Sequence, residues 1–277
     1  MSKRFFGNPE SPLFGVYHAP RGKSRANSTR AVVICPPVGQ EFNRSHWSLR
    51  LMASQLARKG MHVLRVDYQG IGDSAGSIEQ VESLDVWTSN IAQAIDHLKT
   101  ETPASSVMLI GQRLGGLLAG LTATSRPDVN SLVLWESVIG GKTYLDSLRK
   151  MHAHMLDLWV CKMKTYDDEN HEEILGSLYT RSLINQLEST TLDVAAIPQP
   201  HLIVESPKTD RSFTHGEPSI QKVIQANRDG AWEDLRELES AFLRPITTTT
   251  IVKTVNNMFE RLDSYGVLNS DSLAGVN

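Results

Sequence analysis

The sequence has few cysteines, no excess of one charge and no long apolar run. Its two cysteines, Cys35 and Cys161, are far apart, so neither a disulfide framework nor a zinc site is expected. The net charge of −3 gives no bulk attraction to nucleic acid or to an anionic membrane. No apolar stretch approaches the roughly 20 residues of a membrane span, and no secretory signal begins the chain. These absences predict a cytoplasmic protein without a transmembrane segment or a nucleic-acid partner.

The composition is that of an ordinary globular protein, with 40% hydrophobic and 21% charged residues in 277. In the first half, short apolar runs alternate with helical patterns, which indicates βαβ units and a parallel sheet. Ligands bind such sheets at the carboxyl ends of the strands. The predicted strands are 31–37, 61–70, 105–111 and 130–137, and the predicted helices are 48–60, 84–100 and 114–124.

Residues 140–192 interrupt this alternation with a mostly helical pattern and no clear strand. This segment is too long for a simple connection, so we predict a helical cap insertion over the strand ends. Its apolar face packs on the core or lines a pocket for an acyl chain or an aromatic ring. This face comprises Tyr144, Leu148, Met151, Met155 and Trp159.

After the cap, the pattern resumes with a strand at 199–206, a weaker strand candidate at 233–240 and a closing helix at 248–262. The predicted organisation is therefore a core of residues 1–139 and 193–265, a cap of 140–192 and a flexible tail of 266–277.

The segment "GQRLGG" (111–116) has the outline of a strand, a sharp turn and a helix. In a G-x-S-x-G turn the middle position carries a nucleophilic serine, but here it is Arg113. A guanidinium stays protonated and cannot act as a nucleophile or a general base. One interpretation is a salt bridge to Glu41 or Glu136; another is a carboxylate or phosphate site at the helix N-terminus. The two can coexist.

The order of strands, turns and loops resembles the α/β-hydrolase fold along nearly the whole chain. "VLRVDYQGIGDSAG" resembles the strand and glycine-rich turn before the elbow, and "VESPKTD" resembles the strand end that supplies the acid. The resemblance implies that Asp210 is this acid and that the loop after Pro36 contributes an oxyanion N–H. The expected fold is a mostly parallel central sheet flanked by helices, with the helical cap.

Three longer stretches are similar to the exosortase A system-associated hydrolase family of bacteria. They are "CPPVGQEFNRSHWSLRLMASQLARKGMHVLRVDYQGIGDSAG", "LIGQRLGGLLA" and "LVLWESVIGGKTYLDSLRK". In that family, too, arginine occupies the serine position of the elbow. The resemblance implies a bacterial biosynthetic setting, but a shared fold does not by itself define the chemistry.

The histidine of a serine triad is also missing from the sequence. None of the nine histidines falls in the segment "ELESAFLRPIT", where Ala241 or a neighbour takes the expected position. The serine and the histidine of the triad are therefore both missing. Arg113 at the serine position and Asp210 at the acid position are degenerate triad positions, and Asp210 fits a structural role better than a catalytic one. The predicted substrate-binding residues are Val38, Glu41, Gln112, Arg113, Leu114 and Ser137.

Other residues could replace the missing groups, but each has an ordinary structural explanation. Cys35 fits a buried inert thiol better than a nucleophile. Ser74 and Ser137 have no evident base, and Asp73 fits a turn-former. His46 and His215 fit surface residues, and His152 and His154 point to different faces of a helix and cannot pair on a metal. We expect neither a metal nor a cofactor.

Two functions follow from these patterns. The first is a degenerate hydrolase that binds a carboxylated or acylated small molecule, or a carrier-protein-bound acyl group, without breaking bonds. The second is an active hydrolase, acyltransferase or lyase in which Arg113 and oxyanion N–H groups stabilise negative charge and a non-serine group is the nucleophile.

Overall fold

The computed structural model describes residues 1–22, 28–158, 165–205, 222–225, 232 and 245–273. In these described ranges eight strands, whose bounds are given at the end of this paragraph, form the central sheet in the order β1-β2-β4-β3-β5-β6-β9-β10. All neighbours from β4 to β10 run parallel, as the sequence predicted. The strands are β1 (Ser2–Asn8), β2 (Ser11–His18), β3 (Arg30–Cys35), β4 (His62–Val66), β5 (Ser106–Gln112), β6 (Val129–Trp135), β9 (His201–Glu205) and β10 (Lys222–Gln225).

The first two strands are an antiparallel hairpin that sequence analysis missed. β1 pairs with β2, and β2 pairs antiparallel with β4. β1 is exposed at nearly every position, so it lacks the apolar run that identifies a buried strand. Half of β2 is buried, and its apolar run, Leu13 to Tyr17, was overlooked.

Helices cover both faces of the sheet. α2 (Leu84–Glu101) and α3 (Leu114–Ser125) pack on one face, and α1 (Gly39–Arg58) and α6 (Pro245–Leu273) pack on the other. The alternation within β3 divides its side chains between the two cores: Val33 joins the α2–α3 side, whereas Val32 and Ile34 join the α1–α6 side. Both cores are apolar, as expected for a parallel sheet that is covered on both faces.

The segment predicted as a cap contains two helices and, contrary to the prediction of no strand, a small hairpin. α4 (Gly141–Leu158) is followed by β7 (His171–Ile174), β8 (Ser177–Thr180) and α5 (Arg181–Ser189). The hairpin strands have only four residues each and turn at Leu175 and Gly176, which both have positive φ. Such short strands give too little periodicity to be recognised in a sequence.

Two helices are longer than predicted. α1 begins at Gly39 rather than at residue 48, because its first turns are largely polar and hide the helical apolar pattern. Glu41 and His46 therefore lie on a helix rather than on a loop. α6 continues to Leu273 and so includes most of the predicted tail, since no proline interrupts the helix there. The strand candidate 233–240 lies outside the described residues.

No helix in the described part of the chain is long and apolar enough to span a membrane. The described residues also include two one-turn 3₁₀ helices, Ile78–Gln80 and Val194–Ala196.

The start of α3 approaches the end of β3 so closely that only glycine fits between them. A Cβ on Gly115 would lie inside van der Waals contact of the carbonyl oxygens of Cys35 and Pro36, and both are backbone atoms that cannot rotate away. A Cβ on Gly111 would meet the backbone of Gly115 and Gly116 in the same way. This contact fixes the first turn of α3 beside the loop that follows β3.

We expect Gly115→Ala to destabilise the protein by about 3 kcal/mol or more, because the backbone must shift to admit the methyl group. Gly140→Ala is the matched control, since its nearest neighbour, Thr143 Oγ1, would be an ordinary 3.7 Å away. Urea denaturation of both variants checks this prediction. Equal free energies of unfolding for the two variants would contradict it.

Candidate functional site

Arg113 lies at the sharp turn between β5 and α3, at the carboxyl edge of the sheet. Its backbone angles are φ 53° and ψ −123°, an uncommon conformation for a residue other than glycine. Its N–H donates to the carbonyl of Trp135, and its carbonyl accepts from the N–H groups of Gly116 and Val138. The turn is therefore held from both sides in the strained shape that exposes a side chain in G-x-S-x-G elbows.

The Arg113 side chain is only 5% exposed and is paired with Glu41 on α1. Arg113 Nε donates to Glu41 Oε1 at 2.8 Å, and Nη1 donates to the carbonyl of Glu136 at 3.3 Å. Of the two partners suggested by the sequence, Glu41 thus provides the carboxylate and Glu136 provides a backbone carbonyl. The side-chain atoms of both Arg113 and Glu41 are almost fully buried.

Two aromatic rings enclose the guanidinium. Arg113 Cζ lies 5.6 Å from the ring centroid of Tyr144 and 5.3 Å from that of Trp232, within the range of cation–π attraction. The Tyr144 hydroxyl, on α4, also donates to Glu41 Oε2 at 3.0 Å. The two oxygens of Glu41 therefore connect the elbow to the predicted cap.

Burial by itself would lower the pKa of Arg113, but the negative charge of Glu41, with Tyr144 and Glu136, outweighs it and raises the pKa above its usual value. Arg113 therefore remains charged. A guanidinium has five N–H donors, and in the described residues Nη2 makes no hydrogen bond. The ion pair thus leaves donors for a further acceptor.

Two helix N-termini meet at this edge of the sheet. Val38 is the residue before α1, and Leu114 is the first residue of α3, where N–H groups lack partners within the helix. The contact of Gly115 with Cys35 and Pro36 brings these two ends together. The helix dipoles and the guanidinium all favour negative charge here.

The remaining predicted site residues fall into three groups. Gln112 is fully buried beside Arg113, and Ser137 is 4% exposed and donates from Oγ to the carbonyl of Val138 at 3.2 Å. Asp210 lies outside the described residues, so its role stays a prediction. Cys35 is fully buried, and burial raises the pKa of its thiol, which disfavours the nucleophilic thiolate.

The other candidates have structural partners or lie away from the elbow. Ser74 accepts from the N–H of Phe14 and donates to the carbonyl of Asp67. His152 is buried in α4, where Nδ1 accepts from the N–H of Leu175, and His154 is exposed. His215 lies outside the described residues. In the described ranges, no histidine hydrogen-bonds Arg113, and no three His, Cys, Asp or Glu side chains are placed to hold a metal.

Sequence analysis missed Asp67, which lies at the end of β4 in a small cleft also lined by His46, Phe42 and Arg65. Its Oδ2 accepts from the N–H of Asp73 at 3.1 Å, so Asp67 rather than Asp73 organises this turn. Burial raises the pKa of Asp67 to about 6, against the opposing effects of the Asp73 N–H and Arg65. An aspartate directly before "YQGIGDSAG" was the available signal.

Trp232 was also missed, because only packing brings it to the elbow from far along the chain. Tyr144, Leu148 and Met151 are buried on one face of α4, as predicted, but the hydrogen bond from Tyr144 to Glu41 was not foreseen. Trp159, predicted on the same face, lies outside the described residues.

A parallel sheet covered on both faces, with a strained glycine-bounded elbow after β5, defines the α/β-hydrolase fold. Residues 27–214 match the family described as serine aminopeptidase, S33, and the chain belongs to this family.

Relatives of known structure share this fold at low sequence identity. Est1E from Butyrivibrio proteoclasticus, solved with ferulic acid, is 16% identical with a TM-score of 0.63, covering 94% of this chain and 99% of that chain. Mouse alpha/beta hydrolase domain-containing protein 10 is 14% identical with a TM-score of 0.57, covering 95% of this chain and 100% of that chain.

A sequence relative matches a shorter part of the chain. Human monoglyceride lipase is 32% identical over 115 residues, which span 42% of this chain and 35% of that protein. The chain thus matches about a third of the lipase.

We expect Glu41→Gln to destabilise the protein by about 3 kcal/mol or more, because it leaves a buried guanidinium without its counter-ion. Asp146→Asn is the control, since it breaks the exposed pair with Lys142 and should lose less than about 1 kcal/mol. Urea unfolding of both variants provides the comparison. Similar losses would show that the buried pair has no special role in stability.

The raised pKa of Asp67 predicts a pH dependence of stability. The unfolded chain ionises this carboxyl near its usual pKa of 3.8, whereas the folded protein ionises it only near 6. Asp67 should therefore reduce the free energy of unfolding by roughly 1–3 kcal/mol as the pH rises from about 4 to about 6. Asp67→Asn should remove this decline. Asp157→Asn, at an exposed position of α4, is the control, and a pH-independent difference between wild type and Asp67→Asn would contradict the prediction.

Proposed function

We propose that this chain uses the α/β-hydrolase cleft to bind a small molecule with a carboxylate or acyl group, and that it does not hydrolyse esters through a serine triad. The observation that carries the proposal is Arg113, a buried guanidinium at the elbow position that carries the serine in G-x-S-x-G turns. A guanidinium binds oxygen anions in a bidentate manner but cannot attack a carbonyl.

The arrangement of donors supports binding of an anion. Glu41 engages Nε, so Nη2 is a donor that a ligand oxygen would use while the ion pair stays in place. The N–H groups at Val38 and Leu114 add donors that a serine enzyme would use for an oxyanion. Ser137 belongs to the proposed site, and the sequence resemblance adds Asp210 as its degenerate acid position.

The similarity to the exosortase A system-associated family suggests the biological setting. It favours a bacterial, cytoplasmic protein of a biosynthetic pathway whose ligand is a free acid or a carrier-bound acyl group. The structural neighbour solved with ferulic acid supports an aromatic acid as one class of ligand to test. Residues 140–192 would then be the cap that closes over this ligand.

A combined binding and turnover experiment tests the proposal. Isothermal titration with acetate, butyrate, octanoate and ferulate measures binding, and p-nitrophenyl esters and acyl-CoA thioesters of matching chain length measure hydrolysis. We expect wild type to bind at least one acid and to show no turnover above buffer. Arg113→Lys, which keeps the charge beside Glu41 but loses the planar fork, should bind about tenfold more weakly.

The control is Arg149→Lys, because Arg149 pairs with Glu172 and Glu188 at a half-exposed position of α4. This variant should bind as wild type does. Turnover by wild type that Arg113→Lys abolishes would refute the binding-only function and support the alternative, an enzyme that stabilises negative charge with Arg113. Absence of both binding and turnover would refute both functions.

A further inference from the structure

A group of buried polar atoms without partners lies beside the elbow. It consists of the side-chain amide of Gln112 and the indole N–H groups of Trp135 and Trp232. Gln112 and Trp135 are fully buried and Trp232 is 3% exposed, yet none of these side-chain polar atoms has a hydrogen-bond partner in the part of the chain that the structure describes. We call these three residues the amide–indole group.

The three side chains belong to one face of the sheet. Gln112 and Trp135 are register partners on the adjacent parallel strands β5 and β6, so their side chains project to the same side. Trp135 and Trp232 both belong to the core on the α1–α6 side. The Trp232 ring, which lies on the Arg113 guanidinium, links this face to the elbow.

Gln112 is an exception to the pattern of its own strand. The residues that precede it on this face, Met108 and Ile110, are fully buried and apolar. A buried amide without partners is unfavourable, and native proteins almost always satisfy such groups with protein, water or a ligand. Neighbouring orphan groups at a functional turn therefore indicate that a polar group from outside the chain completes them.

The chemistry of the amide–indole group selects that partner. The amide has two N–H donors and one acceptor oxygen, and each indole adds one donor, so donors exceed acceptors by four to one. The guanidinium of Arg113, whose Cζ lies 5.3 Å from the centroid of the Trp232 ring, adds further donors on the Trp232 side of this group. A group rich in acceptor oxygens, such as a carboxylate, complements it.

We propose that the amide–indole group receives the carboxylate, or the acyl carbonyl, of the ligand on the Trp232 side of Arg113. This inference rests on the proposed function and specifies where the oxygens of the ligand bind. Glu41 and Tyr144 keep their hydrogen bonds when the ligand is bound, because the ligand occupies groups that the ion pair does not use. The group is closed to solvent in this structure, so binding requires a side chain to move.

Octanoate binding to the full chain tests the proposal through Trp135→Phe, which removes the N–H and keeps an aromatic ring. The matched control is Trp87→Phe, because Trp87 is also fully buried but donates from Nε1 to the carbonyl of Gln69 at 3.1 Å. We expect Trp135→Phe to weaken octanoate binding about tenfold and to lower the Tm less than Trp87→Phe does, because both variants lose the same buried ring volume but only Trp87→Phe also loses a hydrogen bond. Trp87→Phe should lower the Tm and leave the affinity unchanged.

Gln112→Met provides a second variant of similar volume without the amide. It should weaken octanoate binding while keeping or raising the Tm, because an unsatisfied buried amide is replaced by an apolar group. A purely structural role of Gln112 would instead lower the Tm.

The outcomes of these experiments distinguish a failure of the amide–indole site from a failure of the proposed binding function. Wild-type affinity in Trp135→Phe and Gln112→Met, together with weak binding in Arg113→Lys, would overturn the site and leave the proposed function standing. Absence of octanoate binding to wild type would overturn the site for this ligand class. A crystal structure with octanoate in which only ordered water contacts the amide–indole group would also overturn it.

Discussion

The ion pair between Arg113 and Glu41 connects the three parts of this site. Arg113 comes from the elbow of the sheet, Glu41 from the first turn of α1, and Tyr144 from α4, and the two oxygens of Glu41 bind one partner each. A guanidinium buried to this degree requires a counter-ion, because desolvation of an isolated charge is very unfavourable. The position of α4 over the elbow is therefore tied to the charge of one carboxylate.

The backbone around Arg113 has the geometry of an α/β-hydrolase elbow, although the central side chain is an arginine. The glycines that allow α3 to approach β3 and the positive φ at residue 113 are both present. Backbone geometry and side-chain chemistry are separate properties, so a turn that presents a nucleophile can equally present a cation. In our proposal, the guanidinium favours negative charge, as do the N–H groups that would stabilise an oxyanion. The site therefore binds an anionic ligand instead of stabilising a transition state.

Sequence patterns predicted the parallel part of the sheet and missed elements with little burial contrast. β3, β5 and β6 are nearly continuous apolar runs, and their predicted limits agree with the structure within a few residues. No such signal comes from the exposed strand β1, the four-residue strands β7 and β8 or the polar start of α1, whereas the apolar run of β2 was overlooked. At the site, the elbow, Arg113 and its two possible acidic partners were predictable, whereas Asp67 and Trp232 were overlooked.

The sequence alone determined that arginine stands at the elbow, that glycines surround it and that the segment before the last helix has no histidine, because these are facts of residue identity at fixed local spacing. Only the tertiary structure decided that the Glu41 carboxylate accepts from Arg113 Nε and the Glu136 carbonyl from Nη1, that Tyr144 binds the second oxygen of Glu41, and that Trp232 lies on the guanidinium. These contacts join residues from distant parts of the chain, and their pairing depends on how the helices and the sheet pack, which no local pattern encodes.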